Sequence, residues 1–157
     1  MSGSQVLKNF EDFRAALLGQ GISHVWRGYG SAIFLEIGLL VASKRRSGEP
    51  GEPHGTLTIM IQGDWRIEDR TTIICGSGGE EKLWLQTVKG FVGRSIADVA
   101  LCGRLPELAV DLDDGLRLHS FSTVQGQPEW TIFNNRKGRE NADWLSVENG
   151  ALVCQSA

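Results

Sequence analysis

Hydrophobic and polar positions alternate with a period of two through most of the chain. In the C-terminal half, Leu108, Val110 and Leu112 alternate with Ala109 and Asp111, and Asp114-Gly115 follows. Leu116, Leu118 and Ser120 then alternate with Arg117, His119 and Phe121. Alternation on both sides of an Asp-Gly pair predicts a β-hairpin, because Gly takes the positive φ of a tight turn at no steric cost. Short strands are expected at Ile96–Leu101, Leu108–Leu112, Leu116–Phe121, Trp130–Phe133, Trp144–Val147 and Leu152–Cys154. Asn149-Gly150 separates the last two and predicts a second tight hairpin.

The N-terminal half mixes the two periods. Val6, Phe10, Phe13 and Leu17 fall on one face of an amphipathic helix, with Ser4 or Asn9 as its N-cap and Gly19 or Gly21 at its end. Ile22–Tyr29 and Ala32–Val41 read as paired strands, and Ile33–Ile37, apolar on both faces apart from Glu36, reads as a central strand covered by a helix. Ser43–Gly55, rich in Pro, Gly and charge, predicts an exposed mobile loop. Thr56–Glu68 resumes the strand pattern with a bend or bulge at Gly63. Trp84, Val88 and Phe91 give a second helix over Glu80–Val92, closed by Gly93.

The fold class expected is α+β: mainly antiparallel β, in a strongly bent sheet or two packed sheets, with one N-terminal and one mid-chain helix. Roughly eight to ten strands are expected, and residues 1–157 read as a single domain. Composition refines this picture. A hydrophobic fraction of 41% and a charged fraction of 22% are those of a soluble globular protein. A net charge of −3 argues against a nucleic-acid partner, since phosphate neutralisation needs clustered Lys and Arg. No run approaches the length of a membrane span, so no membrane partner is expected. Cys75, Cys102 and Cys154 stand apart in apolar stretches and are expected to be buried, reduced thiols of a cytoplasmic protein.

No catalytic, metal or cofactor motif emerges. Gly76-Ser77-Gly78-Gly79 lacks the spacing of a nucleophile elbow. His24, His54 and His119 are isolated, without the paired ligands of a zinc site. Asp111, Asp113 and Asp114 sit in the wrong register to Gly115 for a calcium loop. One cluster remains: Trp26, Arg27, Tyr29, Glu36, Trp65 and Arg66, with Glu68, on three strands expected to be adjacent. Glu36 needs a partner if buried, and Arg27 or Arg66 is the expected one. Trp, Tyr and Arg together also suit a recognition surface.

The chain resembles a family of small uncharacterised bacterial β-rich proteins. The resemblance rests on His24-Val-Trp-Arg-Gly-Tyr-Gly-Ser-Ala-Ile-Phe-Leu-Glu36, Gly103-Arg-Leu-Pro-Glu107 and Gln127-Pro-Glu-Trp130. It brings no catalytic residue with it. In size, acidity and β-rich texture the chain is also loosely similar to immunity-type proteins. The expected function is that of a non-enzymatic cytoplasmic binding protein, immunity-like, acting through a protein partner. The alternative is a small-ligand-binding β domain whose curved sheet encloses a pocket.

Overall fold

The period-two segments form eleven strands in two antiparallel sheets, described for residues 6–156 in a computed structural model. In chain order the strands are β1 (Ile22–Arg27), β2 (Ile33–Ile37), β3 (Leu57–Ile61), β4 (Trp65–Glu68) and β5 (Ile73–Gly76). Then follow β6 (Ile96–Cys102), β7 (Glu107–Leu112), β8 (Arg117–Ser120), β9 (Trp130–Asn134), β10 (Asp143–Glu148) and β11 (Ala151–Ser156). The first sheet has the order β1-β2-β3-β9-β10-β11 and the second β5-β4-β8-β7-β6. The expected α+β class holds, in its form with two sheets.

Alternation decides what each sheet buries. Ile33, Leu35 and Ile37 of β2, Leu57, Ile59 and Ile61 of β3, and Trp130 and Ile132 of β9 enter one core. From the second sheet, Trp65, Ile67, Val99, Leu108, Val110 and Leu118 join the same cluster. Trp65 is fully buried, donates from Nε1 to the Ser31 carbonyl at 2.8 Å, and meets Trp84 edge-on at 5.1 Å.

Both helices supply the core with one face. Helix α1 spans Phe10–Leu17 and buries Phe13 and Leu17. Asn9 caps it, its side chain accepting from Asp12 N at 2.9 Å, an arrangement worth about 1 kcal/mol. Ser4, the other expected cap, lies outside the described residues. Val6 precedes the helix and is exposed. Helix α2 spans Glu81–Lys89 and buries Trp84 and Val88, while Leu83 faces solvent. It ends at Gly90, before the expected Gly93, and Phe91 enters the core from the turn beyond.

Both tight hairpins form. Gly115 adopts φ 89° between β7 and β8, and Asn149 and Gly150 adopt φ 52° and 76° between β10 and β11, as a two-residue turn of the I′ kind requires.

Three expectations are corrected. Thr56–Glu68 is two strands in two different sheets: at Gly63 the chain leaves the first sheet for the second. Trp65 and Arg66 therefore do not lie on a strand beside Glu36. Ser43–Gly55 is exposed over residues 44–50, as expected, yet it is folded back on itself, with bridges Val41↔His54 and Lys44↔Pro50, and is buried at Gly55. Of the thiols only Cys75 is buried; Cys102 is half-buried and Cys154 exposed, both outside the hydrophobic core cluster that takes in Cys75. Among the described residues, no helix is long and apolar enough to cross a membrane.

Candidate functional site

On β2, the residues between the core positions point to the outer side of the first sheet. Phe34 and Glu36 are those residues. Register places Glu36 in a row with His24 of β1, Thr58 of β3 and Phe133 of β9, followed by Trp144 of β10. An outward carboxylate would ordinarily meet water, yet Glu36 is fully buried. Two connections cover it: residues 38–56 between β2 and β3, and residues 135–142 between β9 and β10.

Glycine allows the first connection to lie flush on the sheet. A Cβ at Gly55 would fall on the backbone of Ile37, 2.8 Å from its carbonyl carbon. At that approach Gly55 N–H donates to Glu36 Oε1 at 3.0 Å. Thr58 Oγ1 donates to the same oxygen at 2.5 Å, and Trp26 Nε1 donates to Oε2 at 2.8 Å. Burying a lone carboxylate would cost several kcal/mol; three charge-assisted donors offset that cost. The Trp26 ring is itself held, stacked on Phe34 at 3.8 Å.

The second connection is tied to the first through Asn135. Its Nδ2 donates to the Gly55 carbonyl at 3.1 Å and to Thr58 Oγ1 at 2.8 Å. Its Oδ1 accepts from Arg139 Nη1 at 3.3 Å. The Arg139 guanidinium lies over the Phe133 ring, 3.8 Å from its centroid. Burial lowers the Arg139 pKa from its ordinary value, and the charge of Glu36 acts in the opposite direction.

Between the two connections lies a cleft of about 810 Å³. Lys44 and His54 line one side, and Asn135, Arg136, Arg139 and Glu140 the other, with Val41 and Ala42 as its apolar part. Arg139, Arg136 and Lys44 form no ion pair among the described residues. His54 Nδ1 is the buried side-chain nitrogen or oxygen without a hydrogen-bond partner among those residues, and it faces Glu36 Oε2 at 3.9 Å. A second depression, of about 480 Å³, lies on the other sheet by Glu68, Asp98, Asp111 and Arg117. There Arg117 grips Asp111 at 2.6 Å and Arg14 holds Asp98 at 2.8 Å. No group of three or more His, Cys, Asp or Glu among the described residues could hold a metal ion.

The residues singled out from sequence do not converge. Trp26 and Glu36 meet directly. Arg27 turns away to Glu81 and the Gly30 carbonyl and lies over Trp84. Arg66 pairs with Glu68 at 2.9 Å and lies over Phe121 on the second sheet. Trp65 is core, and Tyr29 is 99% exposed in the β1–β2 turn. The expected arginine partner of Glu36 is thus replaced by an indole, a hydroxyl and a backbone amide. Asn135, Arg136 and Arg139 lie in a segment that reads as a loop, and His54 reads from sequence as an isolated histidine without the partners of a metal site. The available signal was Asn134-Asn-Arg-Lys-Gly-Arg139, a basic run held between two strands.

No protein-family model matches this chain, and neither a curated protein nor a solved structure resembles it significantly.

Proposed function

We propose that this is a binding protein whose ligand is a small anion, held in the cleft between the 38–56 and 135–142 connections. The observation that carries this reading is Arg139. Its guanidinium is half-buried, fixed in orientation by Phe133 and Asn135, and without a carboxylate partner among the described residues. A planar fork held ready in this way suits a carboxylate or phosphate, which it grips through two parallel N–H donors. Lys44 and Arg136 add positive charge around it, and the volume of the cleft falls in the range of small-molecule sites. The proposed action is binding in the cytoplasm, without catalysis; three free cysteines support a reducing location.

Isothermal titration with phosphate and with short carboxylates tests the reading. Arg139→Gln should lower affinity at least tenfold, the share of a charge-assisted bidentate contact, while Arg66→Gln on the other sheet should leave it unchanged. Equal affinities for all three proteins would refute it.

A protein partner, as for an immunity-type protein, is the second reading. Its support is the exposed apolar run Leu39, Leu40 and Val41 beside the cleft, at 82%, 38% and 63% exposure. Leu39→Asp should weaken a protein complex and spare the binding of a small anion.

A further inference from the structure

We infer that the ligand of this cleft carries a hydroxyl group, or another hydrogen-bond donor, beside its carboxylate or phosphate, and that His54 Nε2 accepts from it. The inference rests on the anion-binding reading and goes further by assigning the chemistry of His54.

The argument starts from the donors around Glu36. Thr58 has one hydroxyl proton. Asn135 Nδ2 donates to the Thr58 oxygen, so that proton points to Glu36 Oε1. Gly55 N–H takes the other side of Oε1, and the Trp26 indole N–H takes one side of Oε2. Every group that touches the carboxyl is a donor, so the carboxyl acts only as an acceptor.

His54 Nδ1 lies 3.9 Å from Oε2. A neutral imidazole carries its proton on one nitrogen and a lone pair on the other. A lone pair at Nδ1 would face an acceptor oxygen across a buried gap and be repelled. A proton there is attracted. Glu36 therefore selects the Nδ1–H form of His54, as a carboxylate behind an imidazole fixes its tautomer elsewhere. In the neutral ring Nε2 is then left with a lone pair. It has no hydrogen-bond partner among the described residues, and the ring lines the cleft. The cleft thus offers guanidinium donors at one place and a single acceptor at another. A bare anion satisfies the first and repels the second. A hydroxy acid or a hydroxylated phosphate ester satisfies both.

Two measurements test this. The first needs no ligand: long-range ¹H–¹⁵N correlation of the histidine rings at pH 8.5, where free histidine is neutral. His54 should show a protonated Nδ1 and an unprotonated Nε2. The second compares matched probes by titration, lactate against propionate and glycerol 3-phosphate against propyl phosphate. The hydroxylated member of each pair should bind about tenfold more tightly, the share of one added hydrogen bond. His54→Leu should abolish that preference, so that the two members of each pair bind with equal affinity. His54 makes no side-chain hydrogen bond among the described residues, so this variant breaks none of those bonds. An Nε2–H tautomer, or equal affinities within each pair, would overturn the inference while Arg139-dependent binding still stood. Failure of all four probes to bind would overturn the anion reading together with it.

Discussion

Thr58 donates its hydroxyl proton to Glu36 Oε1 at 2.5 Å and accepts from Asn135 Nδ2 at 2.8 Å, so one hydroxyl serves both sides of a buried polar network. Replacing Thr58 by Val keeps the shape and removes both bonds. The carboxylate loses a donor and the Asn135 amide loses an acceptor, in a place water does not reach. We expect a loss of about 2–3 kcal/mol in urea unfolding. Thr58→Ser, which keeps the hydroxyl, should cost less than about 1.5 kcal/mol. A serine variant as unstable as the valine variant would assign the effect to the methyl group.

Trp26 tests the same carboxylate from the opposite side. Its ring stacks on Phe34 while its Nε1 donates to Glu36. Trp26→Phe retains much of the stacking and deletes the donor. The expected cost is about 1–3 kcal/mol. Thr58→Val and Trp26→Phe should not be additive, since both act on one buried group; a double-mutant cycle reads the coupling directly.

The strands were legible because alternation is a local property. Leu108–Leu112 and Leu116–Phe121 reveal their pairing within a dozen residues, and Asp114-Gly115 fixes the turn between them. Glu36 stood out because one charge interrupts an apolar strand. Its partners could not be read from the same pattern. Trp26 and Thr58 reach it through register across three strands, β1, β2 and β3. Gly55 and His54 reach it through a loop whose composition speaks of solvent. The error over Arg66 has a single physical source: Gly63 marks a change of sheet, and a bend within one strand produces the same local signal. Arg139 was invisible for another reason. A basic loop residue becomes distinctive only once the fold places it over Phe133.

Thiol chemistry gives an ordering. Cys75 is buried, and burial raises its pKa from the ordinary thiol value, with a hydrogen bond from Thr87 acting against the shift. Cys154 is exposed on the edge strand. Its pKa is also raised, first by burial of the sulfur, which donates to the Leu7 carbonyl at 3.1 Å, and then by the charges of Asp143 and Asp12. A raised thiol pKa means less thiolate at a given pH. In native protein at pH 7.5, a disulfide reagent should modify Cys154 before Cys75, and Cys154 more slowly than a free peptide thiol. Denaturant should bring all three cysteines to one rate. Native labelling of Cys75 as fast as of Cys154 would contradict the placement of β5.

Gly55 and Gly115 are both glycines of the first importance to their turns, for different physical reasons. Gly115 has φ 89°, and a Cβ there would meet nothing within 4 Å, so Gly115→Ala should cost about 1 kcal/mol through backbone strain alone. Gly55 is not a position of positive φ; its Cβ would overlap the backbone of Ile37. That backbone belongs to a central strand paired on both sides and cannot yield. The loop has to rise instead, which draws Gly55 N–H away from Glu36 and Gly55 O away from Asn135. Gly55→Ala should therefore cost more than Gly115→Ala, about 2–4 kcal/mol. It should also displace His54 and widen the cleft, so that anion affinity falls, whereas Gly115→Ala, on the other sheet, should leave anion affinity unchanged. If the two alanine variants lose equal stability and bind anions equally well, the cleft does not depend on the close seating of residue 55 against β2.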